Sequence, residues 1–269
     1  MDGLQVPGQT FHEIKYYRGW HDDMGAEYFD GVLGLSIDQP MRPFGSPNIL
    51  PSPFKRMIDN HLLDANMLSI VWPTEAREQG SLIFGGYAED LLDGKLISHP
   101  LFPENTAKWQ IEMESLSMIR ENNSGEKDVL VHHLFPKDTK GFFMSYLPSI
   151  AISFNLAQRL LHHVNDYPEA CTHYPGIDCD EVPSLPEIAI GLKGQNVTLK
   201  GEDYVRYTNL TDHCPFEVAG CFLMIDYMGD IEDFVILGMP FLQKLMGVFN
   251  WDEKTISREY SHSGESWLC

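Results

Sequence analysis

Apolar and polar positions alternate with a period of two along most of this chain, in short runs closed by glycine, proline and asparagine. Met67 to Trp72 and Gly80 to Gly86 are two such runs around a polar turn, a pattern that predicts a hairpin. Leu96 to Leu101 and Trp109 to Met113 continue it, the second in strict alternation. Ser115 to Met118, Leu130 to Phe135 and Phe142 with Phe143 read as further strands. Tyr28 to Ser36 interleaves apolar groups with glycines, as a buried strand does where another backbone approaches closely, and residues 1 to 19 read as a turn with a strand or two. A helical period breaks through twice. Ser52-Pro53-Phe54 supplies a cap and an N1 proline ahead of Phe54, Met57, Ile58 and Leu62. Ser153 caps a second stripe of Ala157, Leu160, Leu161 and Val164.

Composition narrows the function classes. The chain has 269 residues, enough for one large all-β domain or two lobes, with 39 acidic against 19 basic residues and a formal charge of −20. That balance, without a basic run, argues against nucleic acid and anionic membranes as partners. No apolar run approaches the roughly 18 residues of a membrane helix. The first ten residues have neither a basic start nor an apolar stretch, so no signal peptide is expected there. Asn122, Asn196 and Asn209 each open a glycosylation triplet, and five cysteines leave at least one thiol without a partner inside the chain.

Several segments, in order, resemble the pepsin-like aspartic proteases. Asp30-Gly31-Val32-Leu33-Gly34-Leu35 is similar to that family's Asp-Gly-Ile-Leu-Gly-Leu, Gly80 to Gly86 to its Gly-x-Leu-x-Phe-Gly-Gly turn, and Trp109-Gln110-Ile111 to the strand linking its lobes. Further on, Cys179 with Ser184-Leu185-Pro186, the Tyr204 segment, and Ile236-Leu237-Gly238 with Phe241-Leu242 fall in the family's order. The resemblance implies a mainly β, pepsin-like bilobal acid-protease fold whose N-terminal lobe is incomplete. Residues 1–113 would be the remainder of that lobe, without its first catalytic loop and flap, and residues 114–269 the C-terminal lobe. Met239 and Asn250 stand where the family carries Asp.

The family's chemistry needs two carboxylates about 3 Å apart sharing one proton. No Asp-Thr-Gly or Asp-Ser-Gly occurs anywhere in the sequence. By its spacing to Ser153, the second catalytic aspartate is replaced by Met144, and the loop reads Met144-Ser145-Tyr146-Leu147-Pro148-Ser149. A thioether neither binds nor activates water. Tyr146 takes the glycine position, so its ring either occupies the former cleft or sends the loop on a new course. Asp138-Thr139-Lys140-Gly141 is an interrupted triplet, but it sits between two apolar runs as turn chemistry, and Asp30 before Gly31 reads the same way. His132, His133, His162, His163, Cys171, His173 and Cys179 lack metal-site spacing, so neither a metal nor a cofactor is expected.

Both catalytic triplets being absent, the expectation is an inactive pseudoprotease. Its degenerate cleft, Met144 to Leu147 with Ser149, would serve as a peptide- or protein-binding module. The alternative is a portion, or a mis-assigned start, of a longer aspartic-type endopeptidase. The family's C-terminal-lobe disulfide implies Cys179 paired with Cys214, with Cys221 as the alternative partner, worth about 3–4 kcal/mol by loop closure. The resemblance implies a secreted, vacuolar or endolysosomal setting, and a cytoplasmic one if Met1 is the true start. Missing lobe strands imply exposed sheet edges through which the chain would self-associate.

Overall fold

The computed structural model describes residues 4–9, 11, 32–36, 51–72, 79–91, 96–106, 108–122, 124–164, 175–210 and 218–260. Three β-sheets form the framework of these residues. The first has five antiparallel strands in the order β2-β1-β15-β16-β3, formed by β1 (Met67–Val71), β2 (Ser81–Phe84), β3 (Ile97–Pro100), β15 (Leu245–Asn250) and β16 (Thr255–Tyr260). The predicted hairpin is β1 with β2, paired from Leu68↔Phe84 to Val71↔Ser81. Its other neighbour comes from the far end of the chain, β1 meeting β15 from Met67↔Asn250 to Ile70↔Gly247.

The second sheet has eight strands in the order β10-β9-β4-β6-β14-β7-β13, with β5 also paired to β4. Its members are β4 (Gln110–Glu121), β5 (Lys127–Leu134), β6 (Lys140–Phe143), β7 (Ile150–Ile152), β9 (Glu187–Leu192), β10 (Gln195–Leu199), β13 (Ile225–Tyr227) and β14 (Phe234–Leu237). A small third sheet joins β11 (Val205–Leu210), β12 (Val218–Leu223) and β8 (Gly176–Ile177). The two segments predicted as separate strands on either side of Glu114 are one strand, β4. A register shift between Met113 and Ser115 lets it continue across residue 113, where a lobe boundary was expected.

Both predicted helices form. In α1 (Pro53–Asp59), Ser52 Oγ accepts the Lys55 N–H at 3.1 Å, while Phe54 and Met57 are buried. In α2 (Phe154–Leu161), Leu156, Ala157 and Leu160 face the core and Val164 follows them, although the Ser153 side chain makes no capping bond. Two shorter helices, α3 (Gly201–Tyr204) and α4 (Met239–Leu242), turn the chain between strands. Tyr204 is wholly buried, and its hydroxyl donates to Pro186 O at 2.5 Å, the pairing that a buried phenol requires.

One large apolar core runs through the sheets, with a second small cluster of Leu147, Ala151 and Ile236 packed by Met144, Met228 and Phe234. Trp109 ties sheet and helix together, its ring lying 5.1 Å from Phe249 and 6.3 Å from Phe54. Its indole N–H donates to Leu35 O at 2.9 Å.

The predicted buried strand at Tyr28 to Ser36 is corrected where it can be seen. Residues 32–36 form no strand; Val32 and Leu33 are 73% and 50% exposed, and Gly34 has nothing within 4 Å of a would-be Cβ. Apolar residues make a buried strand only when a neighbouring strand covers them; here only Leu35 packs against the core, and no described strand pairs with the segment. Residues 28–31, Asp30 included, lie outside the described residues, as do most of residues 1 to 19.

Candidate functional site

The sheet builds the site around β14. β6 runs parallel to β14 from Lys140↔Phe234 to Phe143↔Leu237, and β7 pairs with it from the other side at Ile236↔Ala151. Residues 144–149, which join β6 to β7, therefore cross the end of β14. Backbone bonds stitch them down: Met144 N to Leu237 O at 3.2 Å, Leu147 N to Met144 O at 3.2 Å, and Met239 N to Leu147 O at 2.9 Å. Gly238 makes this possible. A Cβ there would sit 2.0 Å from Ser149 O and 2.5 Å from Leu147 O, so only glycine lets the loop close on the strand.

The side chains on this frame are apolar or neutral. Met144 is half-buried against Leu147, Ala151 and Ile236. Ser145 is exposed, and Tyr146 turns outward, 57% exposed, with its hydroxyl donating to Met144 Sδ at 3.4 Å. Among the described non-glycine residues only His61, Asp138 and Lys254 have positive φ, so Tyr146 fills the expected glycine position without left-handed backbone. Ser149 is wholly buried, and its hydroxyl is left without a hydrogen-bond partner. No carboxylate lies anywhere in residues 140–149. The loop thus offers a thioether, two hydroxyls and a phenol, none of which generates a water nucleophile by itself.

The remaining sequence candidates separate from this loop or find structural roles. Asp138 is exposed at φ 71° in the turn before β6, beside Thr139, whose hydroxyl donates to Pro136 O at 2.7 Å. That is the geometry expected of a turn residue. Met239 opens α4, and Asn250 Oδ1 accepts the Glu253 N–H at 3.0 Å to hold the turn after β15. His132 Nδ1 lies 2.8 Å from Ser117 Oγ, the His162 and His163 rings touch each other, and Cys171 and His173 lie outside the described residues. Among the described residues no cluster of three His, Cys, Asp or Glu side chains could hold a metal ion.

The surroundings of His133 disturb its titration. Half-buried against Phe135, it lies near the Arg159 guanidinium of α2. Burial first, and that cation second, push its pKa below the usual value, with Glu232 opposing and His132 adding to the effect.

The expected Cys179–Cys214 disulfide is corrected to Cys179–Cys221, the pair held as the alternative. The cause is strand pairing. β8 lies antiparallel to β12 with Ile177↔Cys221, which carries Cys179 to within 5.3 Å of Cys221 between Cα atoms. Cys214 lies outside the described residues. Of the glycosylation candidates, Asn122 sits in the β4–β5 turn, its Oδ1 accepting the Ser124 and Glu126 N–H groups at 3.0 and 2.9 Å. Asn196 is exposed on β10, and Asn209 lies on β11.

Sequence reasoning missed the surface beside the loop. Phe142 and Phe234 stack edge to face at 5.6 Å, and Lys108 Nζ sits 5.1 Å from the Phe142 ring centre. Only the strand register, which places both phenylalanines on the face opposite the main core, could have revealed it.

Comparison with known proteins converges on one family. A family model described as eukaryotic aspartyl protease matches residues 1–258. The vacuolar aspartic protease of Candida albicans is 25% identical over 260 residues, covering 94% of this chain and 55% of the relative. Vacuolar protease A of Aspergillus fumigatus is 27% identical over 254 residues, covering 92% and 56%. Dog renin (Canis lupus familiaris) is 26% identical over 226 residues, covering 82% and 50%. The chain spans about half the length of the curated relatives it matches.

Proposed function

The chain belongs to the eukaryotic aspartyl protease family, and on that premise we propose that it is a non-catalytic member whose degenerate loop holds peptide or protein segments without cutting them. One observation carries this reading. The loop between β6 and β7 is bonded to Leu237 of β14 and to Met239 just beyond it, yet its first residue is Met144, and the Tyr146 hydroxyl donates to the methionine sulfur. A dyad works because two carboxylates share a proton and polarise one water, and neither Met144, Ser145 nor Tyr146 can stand in for a carboxylate. The apolar cluster under Met144 suits side-chain docking better than water activation.

Where the protein works is part of the same proposal. Its vacuolar relatives, the Cys179–Cys221 bridge and the surplus of acidic residues all fit an acidic, oxidising compartment. The shared length favours a second reading, in which these residues are one portion of a longer aspartic endopeptidase. Even in that setting Met144 leaves its loop without the carboxylate that the reaction needs.

The test is direct. Purified protein, incubated with a denatured substrate at about pH 3–5, is expected to show no pepstatin-sensitive cleavage. Met144→Asp alone is expected to stay inactive, since this chain supplies no second catalytic triplet. Appreciable pepstatin-sensitive turnover by the unaltered chain would overturn the proposal.

A further inference from the structure

The eight-stranded sheet has two faces of unlike character. Ile111, Val235, Leu237, Ile150, Ile152 and Ile225 all belong to the main core. Directly opposed residues share a face, so the register places Gln110, Phe142, Ile236, Ala151 and Asp226 in one row on the other side, with Glu112, Lys140 and Phe234 in the next. Met144 and Met228 extend this second face and pack with it. Its cover is thin: Phe142, Met144, Phe234 and Met228 are each only half-buried. Half-buried methionines and phenylalanines are adaptable docking material, because their side chains repack around different apolar groups.

Charge surrounds this face unevenly. Glu112 and Asp226 stand on its two sides, and the loop that leads into β14 carries Asp230, Glu232 and Asp233, all three exposed. Asp226 Oδ1 accepts the Tyr227 N–H at 2.7 Å, whereas Asp230, Glu232 and Asp233 enter no salt bridge among the described residues. Among the described residues, the register and the Phe142 contact bring Lys140 and Lys108 to this face, which also carries five carboxylates. The position of Lys108 is informative: its ammonium rests over the Phe142 ring, so the face already accommodates one cation on an aromatic surface.

Resting on the peptide-holding function proposed above, we propose that this face docks a cationic amphipathic segment, one that carries Arg or Lys beside aromatic or branched aliphatic side chains. Its apolar groups would lie on Phe142, Phe234 and Met228, and its cations would meet Asp230, Glu232 and Asp233. Complementary charge supplies the choice of partner, and the apolar face supplies contact area.

Three labelled peptides of equal length, sharing one Leu/Phe pattern but carrying Arg, Ser or Glu between those residues, test this by fluorescence anisotropy with the full chain. The Arg peptide is expected to bind at least about tenfold tighter than the Ser peptide, and the Glu peptide weakest, with the preference shrinking between about 50 and 300 mM salt. Asp230→Lys with Glu232→Lys should erase or reverse the order. Should that pair disturb folding, Asp230→Asn with Glu232→Gln carries the same test with a smaller effect. Equal binding of the Arg and Ser peptides would overturn the charge selectivity and leave the peptide-holding function standing. Failure of all three to bind would overturn both.

Discussion

Gly238 and Gly34 each follow a leucine in a Leu-Gly pair, yet their surroundings are opposite. Gly238 lies under two carbonyl oxygens of the loop that starts at Met144, and Gly34 faces open space. Backbone oxygens cannot move aside as a flexible side chain does. Gly238→Ala is therefore expected to cost about 3 kcal/mol or more, and Gly34→Ala less than about 0.5 kcal/mol, read from urea denaturation of each variant. Equal effects would mean that the loop is not clamped as described. The clamp also explains how much of the site the sequence discloses. Met144 could be placed from its spacing to Ser153, because that spacing is local. The outward course of Tyr146 could not, because it depends on the sulfur and the apolar cluster that the fold brings to it.

Elements show the same divide between local and distant causes. The β1–β2 hairpin, α1 with its Ser52 cap and the alternation of β4 were legible because each depends on neighbours a few positions away. Cys221 as the partner of Cys179 was not, since it follows from β8 pairing with β12 across a separation of 42 residues. The interruption read at Glu114 was a register shift within one strand, visible only once β9 lies beside β4. At this scale belongs the packing of α2 on β5, where Arg159 Nη2 donates to His132 O at 3.2 Å and His133 sits below the helix charge. Because the folded pKa of His133 lies below its unfolded value of about 6.5, the unfolded chain takes up this proton first as pH falls. Stability from this group is then full well above that pH and declines as pH drops from about 6.5 towards the folded pKa. His133→Gln should flatten that part of the stability–pH curve, measured by denaturant midpoints. An unchanged slope would remove His133 as the cause.

At the scale of the whole molecule, the mainly β fold expected from the resemblance is the fold observed, and one of its sheets draws strands from both ends of the chain. β1, β2 and β3 complete their sheet only with β15 and β16, and Trp109 packs on Phe249 of β15. If the chain is split in the connection between Pro100 and Gln110 and the halves are expressed apart, neither is expected to melt cooperatively. Mixing them should restore one transition by calorimetry. A sharp transition from the C-terminal half alone would show that the two parts are independent after all.

The pairing of β1 with β15 also sets a timetable for the ribosome. Asn66 and Asp252, which bond side chain to side chain at the ends of those strands, are 186 positions apart. At about 5–20 residues per second, β1 leaves the exit tunnel on the order of 10–40 s before its partner does. For that interval an apolar edge that ends inside a sheet is exposed to the cell. Chaperone occupancy of the nascent chain should therefore begin soon after β1 emerges and end when β15 does.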